Sequence, residues 1–219
     1  MTRLLRPSLM ALALGAALQA PAWADGLDSL AQFAAQVRSG QASFTQVVTP
    51  PGKDGKPGAP KTQSGQFAFE RPGKFRFDYQ KPFAQTIVAD GQTLWLYDAD
   101  LNQVTRKAQA QVLGSTPAAI VSSANNLDAL RKDFELKALP DAEAQQWVLA
   151  TPKNPDGQIK SVRVGLKPGD KGPQLQTLDI TDNFGQRSVI TFGGFESNAA
   201  LPAATFQFKP PAGADVLKE

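Results

Sequence analysis

The chain has 219 residues, a formal net charge of +3, 42% apolar and 20% charged residues, and neither Cys nor His. That length and balance suit one folded domain, or two small ones, with a sizeable core. Without Cys there are no disulfides, thiolate nucleophiles or Cys-based metal sites, and without His there is no Ser-His-Asp machinery and none of the commonest metal ligand.

The N-terminal 24 residues have the layout of a secretory signal peptide. Arg3 and Arg6 make a basic start, the apolar run 9–18 is broken only by Gly15, and Ala22-Trp23-Ala24 offers a small-x-small site with cleavage before Asp25. The run is short for a bilayer span, and an uncleaved anchor is the alternative. Removal of 1–24 takes both Met residues and two Arg, which lowers the formal charge from +3 to +1, so the sequence pI near 9.2 overstates the basic character of the mature protein. No nucleic-acid partner is expected. The bacterial style of the leader points to the periplasm, and no Cys follows it to carry a lipid anchor.

After the leader, Leu27, Leu30, Ala34 and Val37 recur at helical spacing, with Ala31 and Phe33 widening the face and Gly40 as a natural C-cap. This predicts a helix over 27–38. Strand-like segments follow at 42–49 and 62–70, separated by the Pro/Gly/Lys-rich stretch 50–61, which reads as a long hairpin loop. Phe67 and Phe69 point to one side of the second strand. Beyond the turn Arg71-Pro72-Gly73-Lys74, Phe75, Phe77 and Tyr79 alternate with Arg76 and Asp78, an amphipathic strand. Segments 85–89 and 92–97 flank Asp90-Gly91, a hairpin signal, and 102–107 is a further strand. In 108–132 Ala, Ser and Asn replace the aromatic alternation, and two short helices fit near 117–123 and 127–132, the first with Thr116 and Pro117 as cap and first-turn residue. Strands return at 134–139, 147–151, 161–166, 174–181, 187–195 and 205–208, giving about ten antiparallel strands in one domain spanning 25–219.

So few helices cannot cover both faces of such a sheet, so it is expected to curl around its apolar side. All 13 Phe lie after the leader, most of them on predicted strands. The interior is either filled by side chains as a plain core or left as a cavity for an apolar ligand. Catalytic patterns are scarce. The carboxylate pairs Asp98/Asp100 and Asp141/Glu143 lie near turns, a calcium loop lacks its remaining ligands, and no nucleophile elbow, phosphate loop or dinucleotide fingerprint occurs. No metal and no cofactor is expected.

Four segments, in order and spacing, resemble the outer-membrane lipoprotein carrier family, LolA. They are Gly65-Gln66-Phe67 leading into the 71–79 strand; 87–98 (IVADGQTLWLYD) with 100–104; Asp182-Asn183-Phe184-Gly185-Gln186-Arg187 through Phe192; and 206–216 (FQFKPPAGADV). The resemblance covers nearly the whole chain after the leader. It implies a mainly β fold, an incomplete (unclosed) antiparallel β-barrel of about ten to eleven strands with an α-helical lid. It also implies the task of a periplasmic carrier, not an enzyme. Such a carrier, expected as a monomer, takes acylated lipoproteins from an inner-membrane ABC transporter and delivers them to an outer-membrane lipoprotein receptor. The apolar wall is then expected from Phe75, Phe77 and Ile87, with Trp95 near the rim, and the lid from Leu30 and Phe33 of the first helix with Ile120 and Val121 of the helical insertion. In the family the Arg of the R-P turn fastens the lid through backbone carbonyls. By this likeness Arg71 is the latch and should reach toward Gly114 to Pro117. Ala118 and Ala119 stand where bulkier lid residues would be expected. The alternatives are a periplasmic lipid-sensing or apolar-ligand-binding module without a shuttle role, and a plain β-protein with a filled interior.

Overall fold

A computed structural model describes residues 25–52, 56–112, 117–122, 126–154 and 157–218, with the side chains of 112 and 117–119 excepted. The expected leader, 1–24, lies outside the described residues, as do the side chains of Ala118 and Ala119.

The first helix, α1 (Gly26–Gln36), starts where the side chain of Asp25 accepts the Asp28 N–H at 3.0 Å, and it buries Leu30, Phe33 and Ala34 on one face. It ends one turn before the expected Gly40 cap, at Val37, whose N–H donates to the Phe33 carbonyl at 3.0 Å. Gly40 belongs instead to the first strand and serves close packing. A Cβ there would stand 2.7 Å from the Phe69 ring and 2.9 Å from the Phe195 ring.

The strands are β1 (Ser39–Thr49), β2 (Lys61–Glu70), β3 (Lys74–Lys81), β4 (Gln85–Ala89), β5 (Thr93–Asp98), β6 (Gln103–Ala108), β7 (Phe134–Ala142), β8 (Gln145–Pro152), β9 (Ile159–Lys167), β10 (Gln174–Asp182), β11 (Arg187–Ser197) and β12 (Asp215–Lys218). Between β6 and β7 come α2 (Gln109–Val112), α3 (Pro117–Ser122) and α4 (Leu127–Asp133). All twelve strands form one sheet in the order β12-β6-β5-β4-β3-β2-β1-β11-β10-β9-β8-β7. Every neighbouring pair is antiparallel except β12 with β6. Among the described residues the ends of the order, β12 and β7, are not paired with each other, so the barrel is unclosed.

Period-2 alternation sorts the side chains. Phe77 faces Phe67 on one neighbour and Ile87 on the other, and this side carries the continuous core under α1, α3 and α4. The opposite side bears Arg76, Asp78 and, beyond β4, Trp95 and Arg106.

The C-terminal segment departs from the expected strand at 205–208. Ala203–Phe206 is a 3-10 turn laid on the outer side of the sheet, with the Thr205 carbonyl accepting from Arg76 Nη1 at 3.3 Å. Phe206 is buried, and Phe208 packs on Trp95 and Tyr97 with ring centroids 5.6 and 6.0 Å apart. Val88 and Val104, opposite Trp95 and Tyr97 in the sheet, are fully buried on this same side, which makes it a second apolar patch outside the barrel. The Phe-x-Phe spacing mimics a strand, but both rings are taken by this patch. The last strand, β12, is only four residues (DVLK) with a charged residue at each end, too short for a period-2 pattern to mark it as a strand.

Candidate functional site: an apolar face under a latched lid

The inner face is built from alternating aromatic positions. Phe75 and Phe77 on β3, Phe67 and Phe69 on β2 and Phe44 on β1 are buried in one cluster with Phe192 and Phe195 of β11. Ring centroids lie 4.5 Å apart for Phe67 and Phe77, 5.4 Å for Phe44 and Phe77, and 5.1 Å for Phe67 and Phe192. Ile87 is half-buried against the same cluster. From above come Leu30 and Phe33 of α1, Ile120 and Val121 of α3, and Leu130 of α4. Seven of the eight expected wall and lid residues therefore meet.

Trp95 does not. It pairs with Val88 and Arg106, on the side away from Phe77 and Leu96. There its Nε1 donates to Asp90 Oδ2 at 3.0 Å, and Arg106 stands 6.0 Å from its ring. The three backbone and indole N–H groups that Asp90 accepts hold its carboxyl below the usual carboxylate range, against the opposing effect of burial. Apolarity nominated Trp95 for the wall, but strand parity places it outside.

Arg71 is the polar centre of the site and is only 7% exposed. Its Nε donates to the Val121 carbonyl of α3 at 3.0 Å. Its Nη1 donates to the carbonyls of Ala34 at 2.8 Å and Phe33 at 3.2 Å, and also to that of Val37. These are carbonyls at the C-terminal end of α1, where a helix leaves acceptors unpaired and concentrates partial negative charge. The guanidinium carbon lies 5.1 Å from the Phe33 ring and 5.5 Å from that of Phe69. Burial, with nearby Arg38, pushes its pKa down to about 10, still high enough to keep the charge at neutral pH. Among the described residues its Nη2 is buried with no hydrogen-bond partner.

The expected target of Arg71, Gly114 to Pro117, lies outside the described residues except for the helical backbone of Pro117. The observed acceptors are farther along α3 and on α1. Arg71 thus joins three pieces, the β2–β3 turn, α1 and α3. Sequence reasoning missed the α1 carbonyls because a backbone acceptor carries no side-chain signal. The same turn adds a second tie, since the Gly73 N–H donates to the Ser122 carbonyl at 2.8 Å.

Among the described residues no group of three or more acidic, His or Cys side chains is placed to hold a metal, and no helix is long and apolar enough to cross a membrane. The arrangement offers an apolar surface, helices over it, and a buried charge hydrogen-bonded between them.

The described residues thus build an unclosed β-barrel whose aromatic face is covered by helices, two of them hydrogen-bonded to Arg71. The chain belongs to the LolA family: the family model "Outer membrane lipoprotein carrier protein LolA" matches residues 35–209. It is 57% identical over 198 residues to an outer-membrane lipoprotein carrier protein of Albidiferax ferrireducens, covering 90% of this chain and 93% of that one. It is 49% identical over 198 residues to the protein of the same description in Methylibium petroleiphilum, covering 90% and 92%. A crystal structure of a DUF1329 family protein from Desulfovibrio piger shares the fold, with a TM-score of 0.51 at 11% identity over 83% of this chain and 95% of that one.

Proposed function

We propose that this chain is a periplasmic carrier that shields the acyl chains of lipoproteins released from the inner membrane and hands them to an outer-membrane receptor. The observation that carries the reading is the buried Arg71 fork, which ties α1 and α3 down over the aromatic face. A plain core needs no such charge, because burying a guanidinium costs more than apolar packing would.

The energetics suit a reversible cover. A sheltered hydrogen bond to a charged group is worth about 1.5–3 kcal/mol. An acyl chain gains about 0.8 kcal/mol for each CH₂ withdrawn from water, so roughly a dozen methylenes, about 10 kcal/mol, outweigh a few such bonds.

In this reading Phe75, Phe77 and Ile87 form wall, Leu30, Phe33, Ile120 and Val121 form lid underside, and Arg71 is the latch. Residues 1–24 direct export, and 25–219 act as one domain and as a monomer. An inner-membrane ABC transporter supplies the energy for loading, so the carrier needs no fuel site and performs no catalytic step. Onward transfer runs toward the partner that holds the chains more tightly.

The test is purification of the periplasmic protein from cells expressing a tagged lipoprotein. Co-elution with acylated cargo, and not with an unacylated version of it, is expected. Equal recovery of both forms, or of neither, overturns the reading.

A further inference from the structure

Gln109 is the first residue of α2, where the chain leaves the sheet for the lid, and its side chain is buried. Its Nε2 donates to the Gly73 carbonyl at 2.6 Å and its Oε1 accepts the Gly91 N–H at 2.9 Å. Its own N–H donates to the Gln92 carbonyl at 2.8 Å. One amide therefore binds the turn that carries Arg71, the β4–β5 turn, and the base of the lid.

Gly73 is held from both sides. Its carbonyl goes to Gln109, and its N–H goes to Ser122 at the end of α3. Its φ of +74 is one that a side chain rarely adopts, and a Cβ there would stand 3.1 Å from Gln109 Nε2. The two ends of the 109–122 stretch thus converge on a single residue, two positions from the latch arginine. The Arg71 fork can meet Val121 only while this turn keeps its place.

We infer that Gln109 is a positioning residue for the latch. It fixes the 71–73 turn against the hinge of the lid, so that the Arg71 fork and the Gly73 amide engage α3 together. This rests on the lidded-carrier reading above. Gln109 acts through Arg71 and Gly73 and touches no cargo. An apolar residue of the same size would fill the space without tying the three segments.

The experiment uses protein beginning at Asp25 and compares Gln109→Met, Arg71→Leu and the double variant. Exposure of the inner face is read by the fluorescence of anilinonaphthalene sulfonate, and stability by thermal midpoint. Val104→Ala, on the outer patch, is the control for simple destabilisation. Losing two buried hydrogen bonds at about tenfold or less each in equilibrium terms, Gln109→Met should raise dye binding roughly tenfold. The double variant should bind no more dye than Arg71→Leu alone, since both act on one closure. Val104→Ala should lower the midpoint with dye binding unchanged. The inference is overturned if Arg71→Leu opens the protein while Gln109→Met binds dye like the wild type. It is also overturned if the two effects multiply in the double variant, or if Val104→Ala raises dye binding as much as Gln109→Met. Unchanged dye binding in Arg71→Leu overturns the latch reading itself, and this inference with it.

Discussion

Arg71 Nε and the Val121 carbonyl meet at 3.0 Å, and this bond crosses from the sheet to the lid. In the carrier proposed above, this bond stabilises the closed, empty lid, and a loaded carrier gains that energy back only on releasing its cargo, so the latch would favour discharge. Replacing Arg71 by Leu removes the fork and keeps an apolar stem between Phe33 and Phe69. The variant is expected to fold and to accept acylated lipoprotein, but to fail in passing it to the receptor. A two-compartment transfer assay measures this, and a normal rate of transfer would contradict the latch.

Tyr79 gives the fold a signature in alkali. It lies 5.0 Å from Phe44, centroid to centroid, and its hydroxyl donates to Gln46 Oε1 at 2.7 Å. Burial pushes its pKa from 10.0 up to about 12. The folded state therefore keeps the phenol proton where the unfolded state loses it. The contribution is complete below pH 10 and is lost as pH rises toward 12, with a slope of at most about 1.4 kcal/mol per pH unit. Urea midpoints of the wild type should fall between pH 10 and 11.5 more steeply than those of Tyr79→Phe. Parallel pH profiles would show that Tyr79 is not the group responsible.

Asp179 is a structural charge on the outer side of β10 and separate from the lid. Its side chain is 6% exposed and accepts from Arg187 at 2.8 and 3.0 Å and from Arg163 at 3.3 Å. Arg163 also lies 4.7 Å from the Trp147 ring, and the bonds to Asp179 raise the pKa of Arg187. The two arginines are partly exposed, so the loss in Asp179→Ala is below that of a fully buried pair, about 2 kcal/mol. Urea denaturation should show that loss with cargo binding unchanged. A loss of cargo binding at intact stability would move Asp179 into the site.

Much of this was legible in the sequence because aromatic alternation is a strong signal. Phe75, Phe77, Phe67 and Phe69 each declare a strand and a face, and the Arg71 turn sits between them. What escaped was set by tertiary context. Phe192 and Phe195 share the inner face despite their odd spacing, because the β1–β11 register shifts between Gln41 and Ser43, beside Gly194 with φ +63. Phe206 and Phe208 keep strand-like spacing while lying across the outside. Gly40 passed for a helix cap because its real constraint, two rings on neighbouring strands, is invisible locally. Gln109 offered no pattern at all, since its partners are backbone groups of distant turns.

The parity of β5 and β8 leads to a last expectation. Trp95 is on the outer side with Phe208, and Trp147 is opposite Gly165 and beside Arg163, also on the outer side. In protein beginning at Asp25 these are the two tryptophans present. Bromine on a bound acyl chain quenches indole emission only at close contact. Loading with a brominated lipoprotein should therefore leave the native emission almost unchanged. A Phe77→Trp variant, with its indole among Phe44, Phe67 and Ile87, should lose most of the added emission on loading. Strong quenching of the native protein would place the acyl chains on the outer side and reverse the assignment of the two faces. Quenching confined to the variant would place them under the lid.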